Sequence, residues 1–85
     1  MLKIVIDERT HGTPTLELEG RVIGPWVEEL RRSCDEVLAT SAKLTLDFSD
    51  VSFVDRDGVE LLRSLRNKDV ALLNCSPFVA EQLKT

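Results

Sequence analysis

Apolar and polar residues along this chain first alternate, then recur at helical spacing, then alternate again, and that succession defines the expected elements. Leu2 to Ile6 alternates loosely and predicts a first strand. The polar, turn-rich stretch from Asp7 to Pro14, with Gly12 and Pro14 in it, predicts a hairpin loop. Thr15-Leu-Glu-Leu-Glu19 alternates cleanly, so Leu16 and Leu18 are expected to face the core from a second strand, antiparallel to the first and broken at Gly20.

From Pro25 to Thr40 the period lengthens. Trp26, Val27, Leu30, Cys34, Val37 and Leu38 fall within an arc of about 120° on a helix. Pro25 suits the first helical position, where its missing N–H would have no partner anyway. The charged residues opposite are expected to pair as Glu28–Arg32 and Arg31–Asp35 and to form a solvated face. Lys43 to Phe48 alternates again, with Leu44, Leu46 and Phe48 on one side of a third strand; Val51, Phe53 and Val54 add apolar groups beyond it.

Gly58 to about Asn67 predicts a second helix with Val59, Leu61, Leu62 and Leu65 inward and Arg63 and Arg66 near its negative end. Val70 to Leu73 is continuously apolar, which predicts a strand covered on both faces. Pro77 opens a short last helix with Phe78, Val79 and Leu83 expected to be buried. The order is β-β-α-β-α-β-α. Strands joined by helical crossovers run parallel with right-handed connections, so the expected fold is α/β: a mixed sheet with helices packed on it, spanning residues 1–85 as one small domain.

Composition narrows the function without choosing it. An apolar fraction of 42% and a charged fraction of 31% suit an ordinary soluble globule. The net charge of −4, with cations scattered, argues against a nucleic-acid surface. No apolar run approaches the roughly 20 residues needed to span a bilayer, and the first residues lack the pattern of a signal peptide, so a cytoplasmic location without membrane insertion is expected. Cys34 and Cys75 sit in apolar contexts and are expected to be buried thiols, not a disulfide. His11 stands alone in the first loop, so neither a metal site nor a nucleophile–base pair is expected, and no cofactor: Gly20 and Gly24 precede no Gly-Lys-Ser/Thr that would cradle a phosphate. Trp26 fits core packing, and turn bonding accounts for Ser49 and Ser52.

The junction Asp55-Arg-Asp-Gly58 carries the chemistry. It puts two carboxylates at the positive end of a helix, where backbone N–H groups lack internal partners. Asp57 and Glu60 fit a capping box, with Asp57 as the cap. A cap needs one carboxylate, and here Asp55 and Asp57 flank Arg56.

The stretch Leu44-Thr-Leu-Asp-Phe-Ser-Asp-Val-Ser-Phe-Val-Asp-Arg-Asp-Gly-Val resembles the signature of the STAS domain: an apolar strand ending in Asp-Leu/Phe-Ser, an apolar pair, then Asp-Ser-Ser-Gly-Leu. Leu16-Glu-Leu-Glu-Gly-Arg-Val is similar to the family's Leu-x-Leu-x-Gly-x-Leu, and Val70-Ala-Leu-Leu-Asn-Cys-Ser-Pro to its later strand and helix start. By that resemblance Asp55 corresponds to the acidic residue before the phosphosite, Arg56 to the first serine, Asp57 to the phosphorylated serine, and Gly58 to the glycine that permits a close turn.

The resemblance implies a non-enzymatic interaction module of the bacterial anti-sigma-factor-antagonist kind, acting in signal transduction and transcription regulation. It would dock on an anti-sigma factor or related serine-kinase-like protein through Asp55, Arg56, Asp57 and Gly58, with the phosphorylation switch lost or mimicked by Asp57. Relatives often carry Asp after the second-strand glycine, where this chain has Ile23. Many also continue beyond the point matching Thr85, so an apolar sheet edge and a possible homodimer covering it are expected. The alternatives are a small STAS subunit of an ABC-type lipid transporter and an aspartate phosphoacceptor. The latter would need Asp7 and Glu8 to supply a magnesium-binding pair beside Asp57.

Overall fold

The computed structural model describes residues 2–7 and 13–84, so His11 and Glu8 lie outside the described residues. In chain order the elements are β1 (Leu2–Asp7), β2 (Thr15–Val22), α1 (Pro25–Thr40), β3 (Leu44–Val54), α2 (Arg56–Arg66), β4 (Val70–Leu73) and α3 (Pro77–Leu83). They form a four-stranded mixed sheet in the order β1-β2-β3-β4, with β1 antiparallel to β2 and the remaining pairs parallel. This is the α/β order expected from the periodicity.

Because β2, β3 and β4 lie in sequence order, right-handed crossovers put α1 and α2 on the same face of the sheet. Leu16, Leu44, Leu46, Phe48, Val22 and Val54 point into that layer and are essentially inaccessible to solvent. Each contributes on the order of 2 kcal/mol of hydrophobic stabilisation. Leu30, Cys34 and Val37 of α1 and Leu61, Leu62 and Leu65 of α2 meet them, and no polar or charged residue is buried among the described residues. Trp26, Val27, Leu38 and Val59 pack at the margin, half-buried.

The opposite face carries no helix among the described residues. Lys3, Glu17, Glu19 and Ala71 are exposed there, as are Val5 and Leu73. The expectation that β4 is covered on both faces is therefore wrong. Only Val70 in it is buried, because β4 is an edge strand of a sheet with one bare side. Its apolar run reads like a central strand because Leu72 faces the helices while Ala71 and Leu73 simply remain exposed.

Two irregularities carry β2 and β3 past the points where their alternation stops. The register runs Glu17↔Asp47 and Glu19↔Asp50, then Gly20↔Val51 and Arg21↔Phe53, so β3 takes an extra residue at each shift. The inward positions thus change spacing from two to three, giving Leu44, Leu46, Phe48, Val51 and Val54. Gly20 does not end β2, and β3 does not end at Phe48. Phe53 and Phe78 are exposed at 37% and 55%, stacked on each other with ring centroids 5.9 Å apart, so Phe78 is not the core residue that its helical position implies.

The charged face of α1 pairs at i, i+3, as Glu28–Arg31 and Glu29–Arg32, and not at i, i+4. Exposed pairs of this kind add little stability. Both cysteines are free thiols. Burial pushes the Cys34 thiol up to about 12, with Asp35 adding to the effect and Lys68 opposing it. Cys75 is only half-buried, contrary to expectation, and burial raises its pKa against the opposing pull of Arg66.

Candidate functional site

Where β3 leaves the sheet, Val54 is still fully buried and the next residue must turn the chain into α2. Asp55 does this in an extended conformation, φ −82° and ψ −178°, as the N-cap. Its carboxylate is divided between two loops. Oδ1 accepts from the Gly58 N–H at 2.8 Å, and Oδ2 accepts from the Gly24 N–H at 2.8 Å. Its own N–H donates to the Val22 carbonyl at 3.0 Å, and its carbonyl accepts from the Val59 N–H at 2.9 Å. One side chain thus ties the β2–α1 turn to the end of β3 and the first turn of α2. A cap is typically worth about 1 kcal/mol, and hydrogen bonds to a charged acceptor about 1.5–3 kcal/mol.

The capping box expected from Asp57 and Glu60 is not formed. Asp55-x-x-Gly58 and Asp57-x-x-Glu60 share the same three-residue spacing, and only the first places its carboxylate beside Gly24. Gly24 was the missed partner. It caps α1 with φ +53° and ψ −131°, a conformation that favours glycine, and its N–H is thereby presented to Asp55. The Gly24-Pro25 pair before a helix was the available signal.

Gly58 lies against the sheet. A Cβ there would stand 2.6 Å from Val54 Cγ1 and 2.9 Å from the Val22 carbonyl oxygen, so only glycine lets α2 approach this closely. Arg56 and Asp57, by contrast, are exposed on the first turn of α2. Asp57 occupies the second helical position, near the positive end of the helix dipole, and among the described residues its carboxylate has no hydrogen-bond or ion-pair partner. The four residues of the junction are together in space but in two roles.

Arg56, Val59, Glu60, Arg63 and Gln82 line a shallow depression beside this first turn. Gln82 of α3 reaches across to donate to the Val54 carbonyl, Nε2 to O 2.6 Å, which fixes α3 against the end of β3. The surface around Asp57 therefore mixes both signs of charge with a half-buried valine, and the stacked Phe53 and Phe78 follow from the same end of β3. Farther back along β3, Asp47 accepts from the Ser49 N–H at 2.9 Å and from Asn74 Nδ2 at 3.2 Å, which together hold its carboxyl below the usual carboxylate range. Ser52 Oγ donates to the Gly20 carbonyl.

Among the described residues no group of three or more His, Cys, Asp or Glu side chains is gathered to hold a metal ion. Asp7 lies at the wrong end of the sheet for a magnesium pair with Asp57. It is paired with Thr15, which faces Thr45 at the start of β3, while Asp57 follows Val54 at its far end. The seven-residue advance along β2 separates them by about 23 Å. No helix among the described residues is long and apolar enough to cross a membrane.

Three solved structures share this arrangement. The anti-sigma factor antagonist SpoIIAA in its unphosphorylated form superposes with a TM-score of 0.74 at 22% identity, over 93% of this chain and 79% of that chain. The Bacillus cell fate determinant SpoIIAA in its phosphorylated form gives 0.70 at 22% identity, over 93% and 78%. The STAS domain of an antisigma-factor antagonist from Rhodobacter sphaeroides gives 0.67 at 16% identity, over 87% of each chain. At these identities the likeness establishes the fold. No curated protein sequence matches the chain. The family model of the STAS domain matches residues 5–85, and the chain belongs to that family.

Proposed function

With membership of the STAS family as the premise, we propose that residues 1–85 act as a non-enzymatic docking module of the anti-sigma-factor-antagonist kind, with the exposed first turn of α2 as the contact surface. Arg56 and Asp57 meet the partner directly, and Asp55 and Gly58 hold the turn that presents them. The partner is an anti-sigma factor or related serine-kinase-like protein.

One observation carries this reading. Capping of α2 is already provided by Asp55, so the Asp57 carboxylate stands exposed at the helix start with no hydrogen-bond or ion-pair partner among the described residues. A serine at that position would gain about −1.5 to −2 charges and three acceptor oxygens on phosphorylation. Asp57 holds one negative charge permanently and offers no hydroxyl, so the module is set in one state. The partner surface that meets it supplies N–H donors or cations and no carboxylates, because like charges desolvated together are strongly unfavourable.

The test is calorimetric titration with a kinase-type anti-sigma factor of the same host, with and without ATP. Wild-type chain is expected to bind with unchanged affinity after incubation with ATP, with no phosphate at residue 57 by mass spectrometry. The Asp57→Ser variant is expected to become phosphorylated and to be released. Phosphate on wild-type residue 57 would overturn the reading. So would absence of binding in both variants, together with co-purification of a membrane-associated ATPase subunit, which is the lipid-transporter alternative.

A further inference from the structure

Among the described residues the exposed large apolar side chains are Val5, Ile6, Phe53, Leu73 and Phe78. The register sets Val5 opposite Glu17, Glu17 opposite Asp47 and Asp47 opposite Leu73, with Ile6 in the adjoining row. Phe53 lies six residues farther along β3, about 20 Å on, at the end where α2 begins. Phe78 stacks on it. Of these exposed apolar groups, only the two rings stand at the docking end of the sheet. They are separate from β4, whose last partner in β3 is Asp47.

The pair is held in place by the fold itself. Phe53 is fixed in β3 opposite Arg21 of β2. Phe78 opens α3 beside Val79, which is fully buried and whose N–H donates to Ser76 Oγ at 3.2 Å. Gln82 follows Phe78 by four residues and so shares its side of α3. It donates to the Val54 carbonyl and lines the depression that also holds Arg56. The rings are 5.9 Å apart at 28°, within the range of favourable aromatic pairs. Groups already fixed in this way lose little freedom when a partner covers them.

We propose that Phe53 and Phe78 are the apolar anchor of the docking surface, covered by an uncharged aliphatic or methionine side chain of the same partner protein that meets Arg56 and Asp57. The assignment rests on the docking role of that turn. Four residues of chain separate Phe53 from Asp57, so their Cα atoms are at most about 14 Å apart. A stable protein interface covers roughly 800 Å² on each side, a patch about 30 Å across. A partner seated on the first turn of α2 therefore reaches the rings. Exposed charges such as Arg56 and Asp57 chiefly steer and select, whereas well-packed aromatic groups supply much of the binding free energy. The rim chooses the partner, and the two rings hold it.

The experiment is calorimetric titration of the full chain with a kinase-type anti-sigma factor of the same host, at low and at raised salt. Phe78→Ala is expected to weaken binding about tenfold or more at both salt levels, and Phe78→Leu to recover most of the loss. The effect of Arg56→Glu is expected to shrink as salt rises. Leu73→Ala, exposed on the sheet away from this end, is expected to leave affinity unchanged. In the wild-type complex, the ring protons of Phe53 and Phe78 are expected to lose contact with a soluble paramagnetic agent, a readout that needs no variant to fold. Unchanged affinity of Phe78→Ala, or rings still open to the agent, would overturn the anchor while dependence on Arg56 and Asp57 kept the docking turn. Dependence on Phe78 with none on Arg56 or Asp57 would keep the rings as a contact and overturn the docking turn. No binding by the wild-type chain would overturn both. A dimer by sedimentation that is lost in Phe78→Ala would also overturn the anchor, and would name a second copy as the occupant.

Discussion

The β3–α2 junction divides within four residues into a floor and a rim. Asp55 and Gly58 form the floor: one is bonded to both neighbouring loops, and the other is pressed against Val54 and the Val22 carbonyl. Arg56 and Asp57 form the rim, exposed and, for Asp57, without a polar partner among the described residues. The same sequence motif thus contains residues that the fold requires and residues that it leaves available. The first turn of a helix makes this division naturally, since successive side chains point about 100° apart.

The sharpest way to break the comparison is to crowd the floor. Gly58→Ala is expected to cost about 2–3 kcal/mol, because the new methyl must displace Val54 and approach a backbone oxygen that cannot yield. For a domain of this size that lowers Tm on the order of 10 °C, measurable by thermal denaturation. An alanine at an open helical site would instead gain about 1 kcal/mol over glycine, so the sign alone separates the two situations.

Asp55→Ala is expected to cost about 1–2 kcal/mol through loss of the cap and of the link to Gly24. Hydrogen exchange at the Gly24 and Gly58 amides should accelerate together, since one carboxylate serves both. Acceleration at Gly58 alone would mean that the bridge between the loops contributes nothing.

A smaller effect is expected from pH at Asp47, outside the junction. Its carboxyl is held below the ordinary range by the Ser49 N–H and then by Asn74. A depressed carboxylate stabilises the fold above the unfolded pKa, and that contribution fades as pH falls through the folded value. Asp47→Asn is therefore expected to lower stability slightly at neutral pH and to flatten the acid side of the profile, the variant and wild type converging below the usual carboxylate range. The smallest effect on folding is expected at the rim, where Asp57→Ser should stay within about 0.5 kcal/mol of wild type by urea denaturation.

How much of this was legible in the sequence varied with the kind of signal. The bounds of α1 follow directly from Pro25 and the spacing of Leu30, Cys34 and Val37, because a long amphipathic helix repeats its message over several turns. That β2, β3 and β4 run parallel follows from the helices between them, whereas their order in the sheet comes from the structure alone. The lengths of β2 and β3 were hidden, since each register shift turns a spacing of two into three and makes Val51 and Val54 look like loop residues. Exposure of Phe78 was invisible because its partner, Phe53, is distant in sequence and belongs to another element.

At the candidate site, the local pattern groups the four residues but puts the cap two residues late, at Asp57 instead of Asp55. Local spacing allows either aspartate to be the cap. Only the tertiary position of Gly24, 31 residues earlier in the chain, chooses Asp55.

The docking role of the rim is tested most directly by mapping chemical-shift changes in labelled chain titrated with a kinase-type anti-sigma factor. The largest perturbations are expected at residues 56–60, with the Asp57 amide among them and β4 unaffected. Silence at 56–60 while shifts gather along another surface would contradict the assignment of the first turn of α2 as the contact.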